Sequence, residues 1–337
     1  MTNFEFIDLQ LLAATPIPNL NTTDPEKSLG EHEVKEYYDR VLLEYAGPNL
    51  VHDQFAKKAN IPAGNGKSIE WRRLVDLDTT IDTFKLKEDE IPVGQEVGVE
   101  IVTAEIEELG GYIKLSDIVE IVAYDNIQTG YMKKLAEQAS KISDKISREK
   151  LLEATGALQA NGKSTVAALT ATDTLTLKDV FKAAATLAAV DAPTIDGSYV
   201  AIIHPYVAYD LMMEAGNGWI DVMKYADPEK ILNGEIGKIG NVRFVQSSMA
   251  KTYKKGDNGN TTTGTCVTTF LGADAYASVD LANGGIESIT HNKHEIGGPL
   301  DQYATMGWKL RKAAEILTDK YIVKMTSATA AGTTTTN

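Results

Sequence analysis

The chain has 337 residues, enough for about two domains with a sizeable buried core. Its 43% hydrophobic and 24% charged content is that of a folded globular protein, and a net charge of −14 provides no basic footprint for tight nucleic-acid binding. One cysteine, Cys266, excludes an internal disulfide and a cysteine-cluster metal site, and no apolar run reaches the roughly 18 residues of a membrane-spanning helix.

Residues 1–27 lack periodicity and carry Pro16, Pro18 and Pro25, so they read as an extended arm without the basic start of a signal peptide. Ser28 precedes Glu31 at the capping-box spacing, Val34, Tyr38, Val41 and Tyr45 follow at helical intervals, and Gly47-Pro48 ends that helix. Gly64-Asn65-Gly66 is a turn signal. Two strand patterns come next. Lys67–Asp76 places Ile69, Trp71, Arg73 and Val75 on one face, and Val97–Leu109 separates Val97, Val99 and Ile101 from Gly98, Glu100, Val102, Ala104 and Ile106. Between them run about twenty residues without a helical stripe, a length that in a compact domain is functional or stabilised by another chain.

A long helix is expected from Asp117, capped with Glu120, to Thr155, about 58 Å at 1.5 Å per residue. Its apolar stripe is Ile127, Tyr131, Leu135, Ala139, Ile142 and Ile146; Lys133, Lys134, Lys141, Lys145, Arg148 and Lys150 make its exposed side basic. Gly130 within it is a candidate bend, or a glycine kept for close packing. After a turn at Asn161-Gly162 the pattern becomes α/β. Thr176-x-x-Asp179 caps a helix carrying Val180, Phe181, Ala184, Leu187 and Ala188, Tyr199–Ile203 is a buried strand, and Pro205 opens a helix to Glu214. Gly234–Gly237 is a tight connection before the strand Val242–Gln246, Lys254–Thr263 a polar loop tip, and Thr265–Leu271 a strand. Tyr303–Leu317 and Lys320–Met325 read as strands paired around Thr318-Asp319, although Leu310–Leu317 alone fits a helix. The tail SATAAGTTTTN is small and polar and is expected to be disordered.

Catalytic motifs fail on spacing. Five residues, where a phosphate loop needs four, separate Gly156 from Gly162-Lys163-Ser164, and the stretch follows a helix where a strand is required. Gly66-Lys67-Ser68 opens a strand. His291, His294 and Glu295 lack the order and third ligand of a zinc site, His204 reads as a cap at a strand-to-helix turn, and Cys266 as a small buried hydrophobe. Glu88-Asp89-Glu90 reads as a solvated acidic loop. No enzyme activity, cofactor or metal is expected.

Several strings in fixed order carry a resemblance: Ile69-Glu70-Trp71, Lys87–Gly94, Gly111–Asp117, Ile202–Pro205, Gly234–Gly237, Gly272–Tyr276, Gly297–Asp301 and Gly307-Trp308-Lys309. Over roughly residues 30 to 325 the chain resembles the major capsid proteins of tailed bacteriophages, closest to the N4-like major capsid family with the HK97-type fold. The resemblance implies an α+β fold with an N-terminal arm at 1–60, an extended loop at 61–112, a peripheral domain at 113–165 and 283–327 with the long helix as its spine, an axial domain at 166–282, and a flexible tail at 328–337. It implies self-assembly into pentamers and hexamers of an icosahedral shell around double-stranded DNA, contacted non-specifically, and a place in the virion after assembly in the host cytoplasm. Implied partners are further copies of the chain, a separate scaffolding protein, a portal and a decoration protein, with no membrane. An encapsulin-type nanocompartment of the same fold is the alternative. Within that frame Glu88, Asp89 and Glu90 are expected to face Lys133, Lys134, Lys141 and Lys145 of another copy, and Gly130 to be the hinge of the spine.

Overall fold

A computed structural model describes residues 51–329 except 63, 76, 78, 87, 89–93, 117–126, 216–219, 222–231, 233, 261, 282–285 and 292–301, with backbone alone at 83, 127–129, 215, 220 and 221. All of these lie in the unit Ala46–Asn337. The expected arm and helix at 1–50, Asp89, Glu90, the cap at Asp117 and Glu120, His294, Glu295 and residues 330–337 of the tail lie outside the described residues; Ser327, Ala328 and Thr329, expected in the disordered tail, are instead buried, the first two at the end of the last strand.

In chain order the strands are β1 (Lys57–Ile61), β2 (Ser68–Leu74), β3 (Val99–Glu105), β4 (Glu107–Ser116) and β5 (Ala157–Gln159), with helix α1 (Ile127–Leu152) between the last two. Helix α2 (Leu177–Ala189), β6 (Tyr199–Ile203), helix α3 (Pro205–Ala215) and β7 (Ile220–Asp221) follow. Then come β8 (Glu235–Ile239), β9 (Val242–Gln246), β10 (Thr252–Tyr253), β11 (Thr265–Leu271), β12 (Tyr276–Leu281), β13 (Glu287–His291), β14 (Tyr303–Ile316) and β15 (Ile322–Ala328).

An eight-stranded sheet, ordered β5-β15-β11-β6-β9-β8-β7 with β10 beside β11, forms the larger core. Its central strands are buried on both faces, as near-continuous apolar runs require. On one face Ala201, Ile203, Phe244 and Phe270 meet Val180 and Leu187 of α2 and Val207 and Leu211 of α3. On the other, Val200, Ile202, Val245 and Leu271 meet Leu151 and Ala154 at the end of α1, and Val51 and Phe55. Helix α2 starts where the sequence places it: the Thr176 hydroxyl accepts from the Asp179 amide and the Asp179 carboxylate accepts from the Thr176 amide.

The second sheet is built on β14. One edge of β14 pairs with β4 from Tyr303↔Ser116 to Lys312↔Glu107; the other pairs with β13 and then β12, and β1 lies parallel to β12. Leu135 and Ala139 of α1 cover Met306, Trp308, Leu310 and Leu115, and the Trp308 indole donates to Gln138 Oε1 at 3.1 Å. Gly307 is required here, because a Cβ at that position would stand 2.9 Å from the Gly111 carbonyl oxygen.

Four expectations need correction. Tyr303–Leu317 and Lys320–Met325 do not pair with each other, because Tyr303–Ile316 belongs to the sheet under α1 while Ile322–Ala328 lies between β11 and β5 in the other sheet. The strand-rich alternation of 303–316 also rules out a helix at its end. Pairing further crosses the expected 282/283 division: β12 joins β14, and β15 joins β11. The described helix ends at Leu152, short of Thr155. Lys254–Thr263 is a polar loop as expected, and its buried Asn260 amide donates to the carbonyls of Val166 and Leu169, tying the loop to another segment.

Candidate assembly surface

The two strand patterns after Gly66 form a two-stranded antiparallel ribbon, β2 with β3, in register from Ser68↔Glu105 to Leu74↔Val99. Pairing places Ile69 opposite Ala104 and Trp71 opposite Val102. Alternation puts these four on the face turned to the body, where Ile69 and Trp71 rest on Ile61, Ala104, Ile106, Val279 and Ala313. Arg73 pairs with Glu100 across the strands and donates to the Thr318 hydroxyl at 2.9 Å, and Lys67 pairs with Glu105 at the base. That anchoring is polar and exposed at its margins, so the apolar base holds the ribbon in place.

Beyond the base the chemistry changes. Leu74, Val75, Leu77, Val97, Val99 and Ile101 are exposed, and so are Ile81, Phe84 and Leu86 in the connecting segment. Ile81–Phe84 forms a short 3-10 turn, the one helical piece among the described residues of a spacer whose sequence shows no helical stripe. Nine large apolar side chains on one projection exceed what scattered surface hydrophobes explain and mark a contact surface. Glu88 is exposed in the same segment.

The basic helix face is only partly as expected. Lys133 and Lys145 are exposed, Lys134 pairs with Glu137 on its own helix at 3.1 Å, and Lys141 is half-buried. Lys150 is held by Glu153 and Glu315. Arg148 contradicts the reading outright: it is 2% exposed and donates to the Met249 carbonyl at 2.7 Å. The physical reason is a second buried stripe, Asp144, Ser147, Arg148 and Leu151, at helical spacing in the C-terminal half of α1. Gly130 is buried and helical.

That stripe meets a buried polar junction which sequence reasoning missed. His52 donates its backbone N–H to Asp144 Oδ1 at 2.8 Å, and its Nδ1 lies 2.7 Å from Asp144 Oδ2. The Tyr276 hydroxyl donates to the His52 carbonyl, and Lys312, 2% exposed, sets its ammonium 2.7 Å from Asp53 Oδ1 and donates to the Ser143 hydroxyl at 2.9 Å. Burial alone would raise the Asp53 carboxyl; the charges and hydrogen bonds of Lys312 and Lys58 outweigh it and hold it down at about 2. The one sequence signal was the i, i+3, i+4, i+7 spacing of Asp144, Ser147, Arg148 and Leu151, masked by its polar residues. The junction fixes the segment before β1 to α1 and β14.

The catalytic decoys are structural. Asn161 and Gly162 make a left-handed turn, and the Lys163 ammonium lies 3.6 Å from Asp173. Cys266 is buried, which pushes its thiol up to about 12. His204 Nδ1 accepts from the Tyr206 amide at 3.3 Å. Among the described residues no three His, Cys, Asp or Glu gather as a metal set, and no helix is long and apolar enough to cross a membrane.

The family of phage capsid proteins matches residues 146–311 of the chain. In fold the chain is similar to the capsid of Ralstonia phage GP4, with 12% identity over 92% of this chain and 98% of that one and a TM-score of 0.70. It is similar also to the capsid of cyanophage P-SCSP1u (16% identity, 90% and 95% covered, TM-score 0.62) and to that of cyanophage Pam1 (11%, 92% and 100%, 0.63). A comparison with curated protein sequences found no match. The fold is the HK97-like α+β fold of phage capsid proteins. The encapsulin-type alternative is not favoured. The matched family and the similar structures are structural proteins of virions.

Proposed function

We propose that copies of this chain close into pentamers and hexamers of an icosahedral phage head that encloses double-stranded DNA, contacted non-specifically. The observation that carries this reading is the ribbon: its base is packed on its own subunit while its distal half exposes an apolar surface. Closed symmetry repeats one modest contact many times and makes the sum strong. The sheet under α1 then serves as the peripheral domain and the eight-stranded sheet as the axial one, with β12 counted to the first and β15 to the second. The N4-like subdivision, a separate scaffolding protein, a portal, a decoration protein and assembly in the host cytoplasm belong to the same reading.

Glu88, Asp89 and Glu90 face Lys133, Lys134, Lys141 and Lys145 of a neighbouring copy in this proposal. Each exposed pair is worth about 0–1 kcal/mol, so the apolar ribbon supplies most of the affinity. Negative-stain microscopy of the expressed chain tests the reading. Shells or five- and six-membered rings are expected, and a chain that stays monomeric at every concentration refutes it. Changing all three acids to lysine is expected to lower particle yield; an unchanged yield removes the charge contact.

A further inference from the structure

One tetrapeptide occurs twice in the chain, and the fold treats its two copies differently. Asn65-Gly66-Lys67-Ser68 leads into β2, and Asn161-Gly162-Lys163-Ser164 follows β5. An asparagine before a glycine readily loses its side-chain amide, because no Cβ crowds the glycine nitrogen as it approaches the asparagine Cγ. The shared sequence gives both copies the same intrinsic reactivity, and both asparagines are exposed, so only their anchoring separates them. Asn161 is held at the points that ring closure must move. Its Nδ2 donates to Asp173 Oδ1 at 2.9 Å and its backbone N–H to Asp179 Oδ2 at 3.0 Å, and both carboxylates are buried. The Lys163 amide donates to the Ala160 carbonyl at 3.3 Å and closes the turn around the same peptide bond. At Asn65 the backbone N–H donates to the Pro62 carbonyl at 3.3 Å, and among the described residues nothing accepts from its side-chain amide or from the Gly66 N–H. A Cβ at Gly66 would meet nothing within 4 Å, so the peptide stands in open space.

We propose that the folded chain deamidates at Asn65 by way of a succinimide, while Asn161 is protected. The Gly66 nitrogen gives its proton to hydroxide and forms a bond to Asn65 Cγ. The Cγ–Nδ2 bond then breaks, and the side-chain nitrogen takes a proton from water and leaves as ammonia. Water opens the resulting ring at either carbonyl, leaving aspartate or isoaspartate. The isoaspartyl product routes the main chain through the former side chain, which lengthens it by one methylene at the joint between β1 and the ribbon. Either product sets a new carboxylate close in sequence to Lys67, whose ammonium pairs with Glu105 at the ribbon's base. This chemistry belongs to the subunit and does not depend on the shell reading.

The test incubates the folded full-length chain in ¹⁸O-labelled water at mildly alkaline pH, digests it, and follows both peptides by mass spectrometry. The Asn65 peptide is expected to gain a heavy oxygen about tenfold faster than the Asn161 peptide, the equivalent of about 1.4 kcal/mol in barrier height. In the urea-unfolded chain the two rates are expected to converge, since the anchoring of Asn161 is gone. Equal rates in the folded chain, a faster Asn161, or a gap that persists in urea overturns the proposal. So does an Asn65 that stays intact in the folded chain for as long as the unfolded chain takes to convert.

Discussion

The eight-stranded sheet and the β2–β3 ribbon are both made of apolar strands, yet one is finished and the other is not. β6 and β11 are buried along their whole length, with helices on one face and the end of α1 on the other. β2 and β3 alternate as cleanly, but only one face of their base half finds a partner in the subunit. Strand formation therefore does not depend on where the second partner comes from. A sheet closed within the chain gives stability to the subunit, and a ribbon left open directs its energy to association.

This contrast can be broken from either side. The largest effect is expected in the closed sheet: Phe244→Ala removes a fully buried ring and should cost about 3–5 kcal/mol in urea unfolding of the isolated subunit. A cost below about 1 kcal/mol would mean that this core is not what holds the subunit. Next comes the buried junction. Lys312→Met leaves the Asp53 carboxylate without its main counter-charge and should cost about 2–3 kcal/mol, less than a fully buried pair because Asp53 keeps some exposure.

The same junction sets a pH limb. The folded Asp53 is held down at about 2, so its contribution is fully present above the unfolded value of about 3.9 and is lost as pH falls from there through 2. Thermal unfolding of the unsubstituted subunit should weaken over that window, and Lys312→Met should flatten this limb. On the ribbon, replacing Ile81, Phe84 and Leu86 together by serine should change subunit stability by no more than about 0.5 kcal/mol per site while sharply lowering shell yield. Equal loss in both measurements would erase the distinction between the two regions. The smallest effect on assembly is expected at Gly130→Ala, where the helix propensity gained is about 1 kcal/mol. If the spine bends there during shell maturation, the conversion rate of precursor shells shifts; identical conversion removes the hinge.

Much of this was legible in the residues. Alternation at 67–76 and 97–109 announced the ribbon, although the second run overran β3, which ends at Glu105 before β4 begins at Glu107; Thr176 with Asp179 marked the start of α2. Apolar runs at 199–203 and 265–271 announced the central strands. Pairing partners were not legible, because adjacent strands at 303–316 and 322–328 carry nothing that says they separate into different sheets. The junction of His52, Asp53, Asp144 and Lys312 was hidden for a different reason. Its residues lie up to 260 positions apart (312 − 52), and each is of a type normally found in water. The ribbon was readable as an arm, although the short 3-10 turn at Ile81–Phe84 in its spacer left no periodic signal.

The ladder between β4 and β14 carries a mechanical meaning. β3 runs into β4, so a pull on the ribbon from another copy enters the body along the 10-residue β4 strand. β4 is held edge-on by hydrogen bonds that lie across the direction of pull. Such a load is shared by the whole ladder at once; a peeling load would break one rung after another. β14 then hands it to β12 and β13 on its far edge, and to α1 above. The strand that looks like the middle of a small sheet is thus the subunit's tension member, set where strain between neighbours would enter.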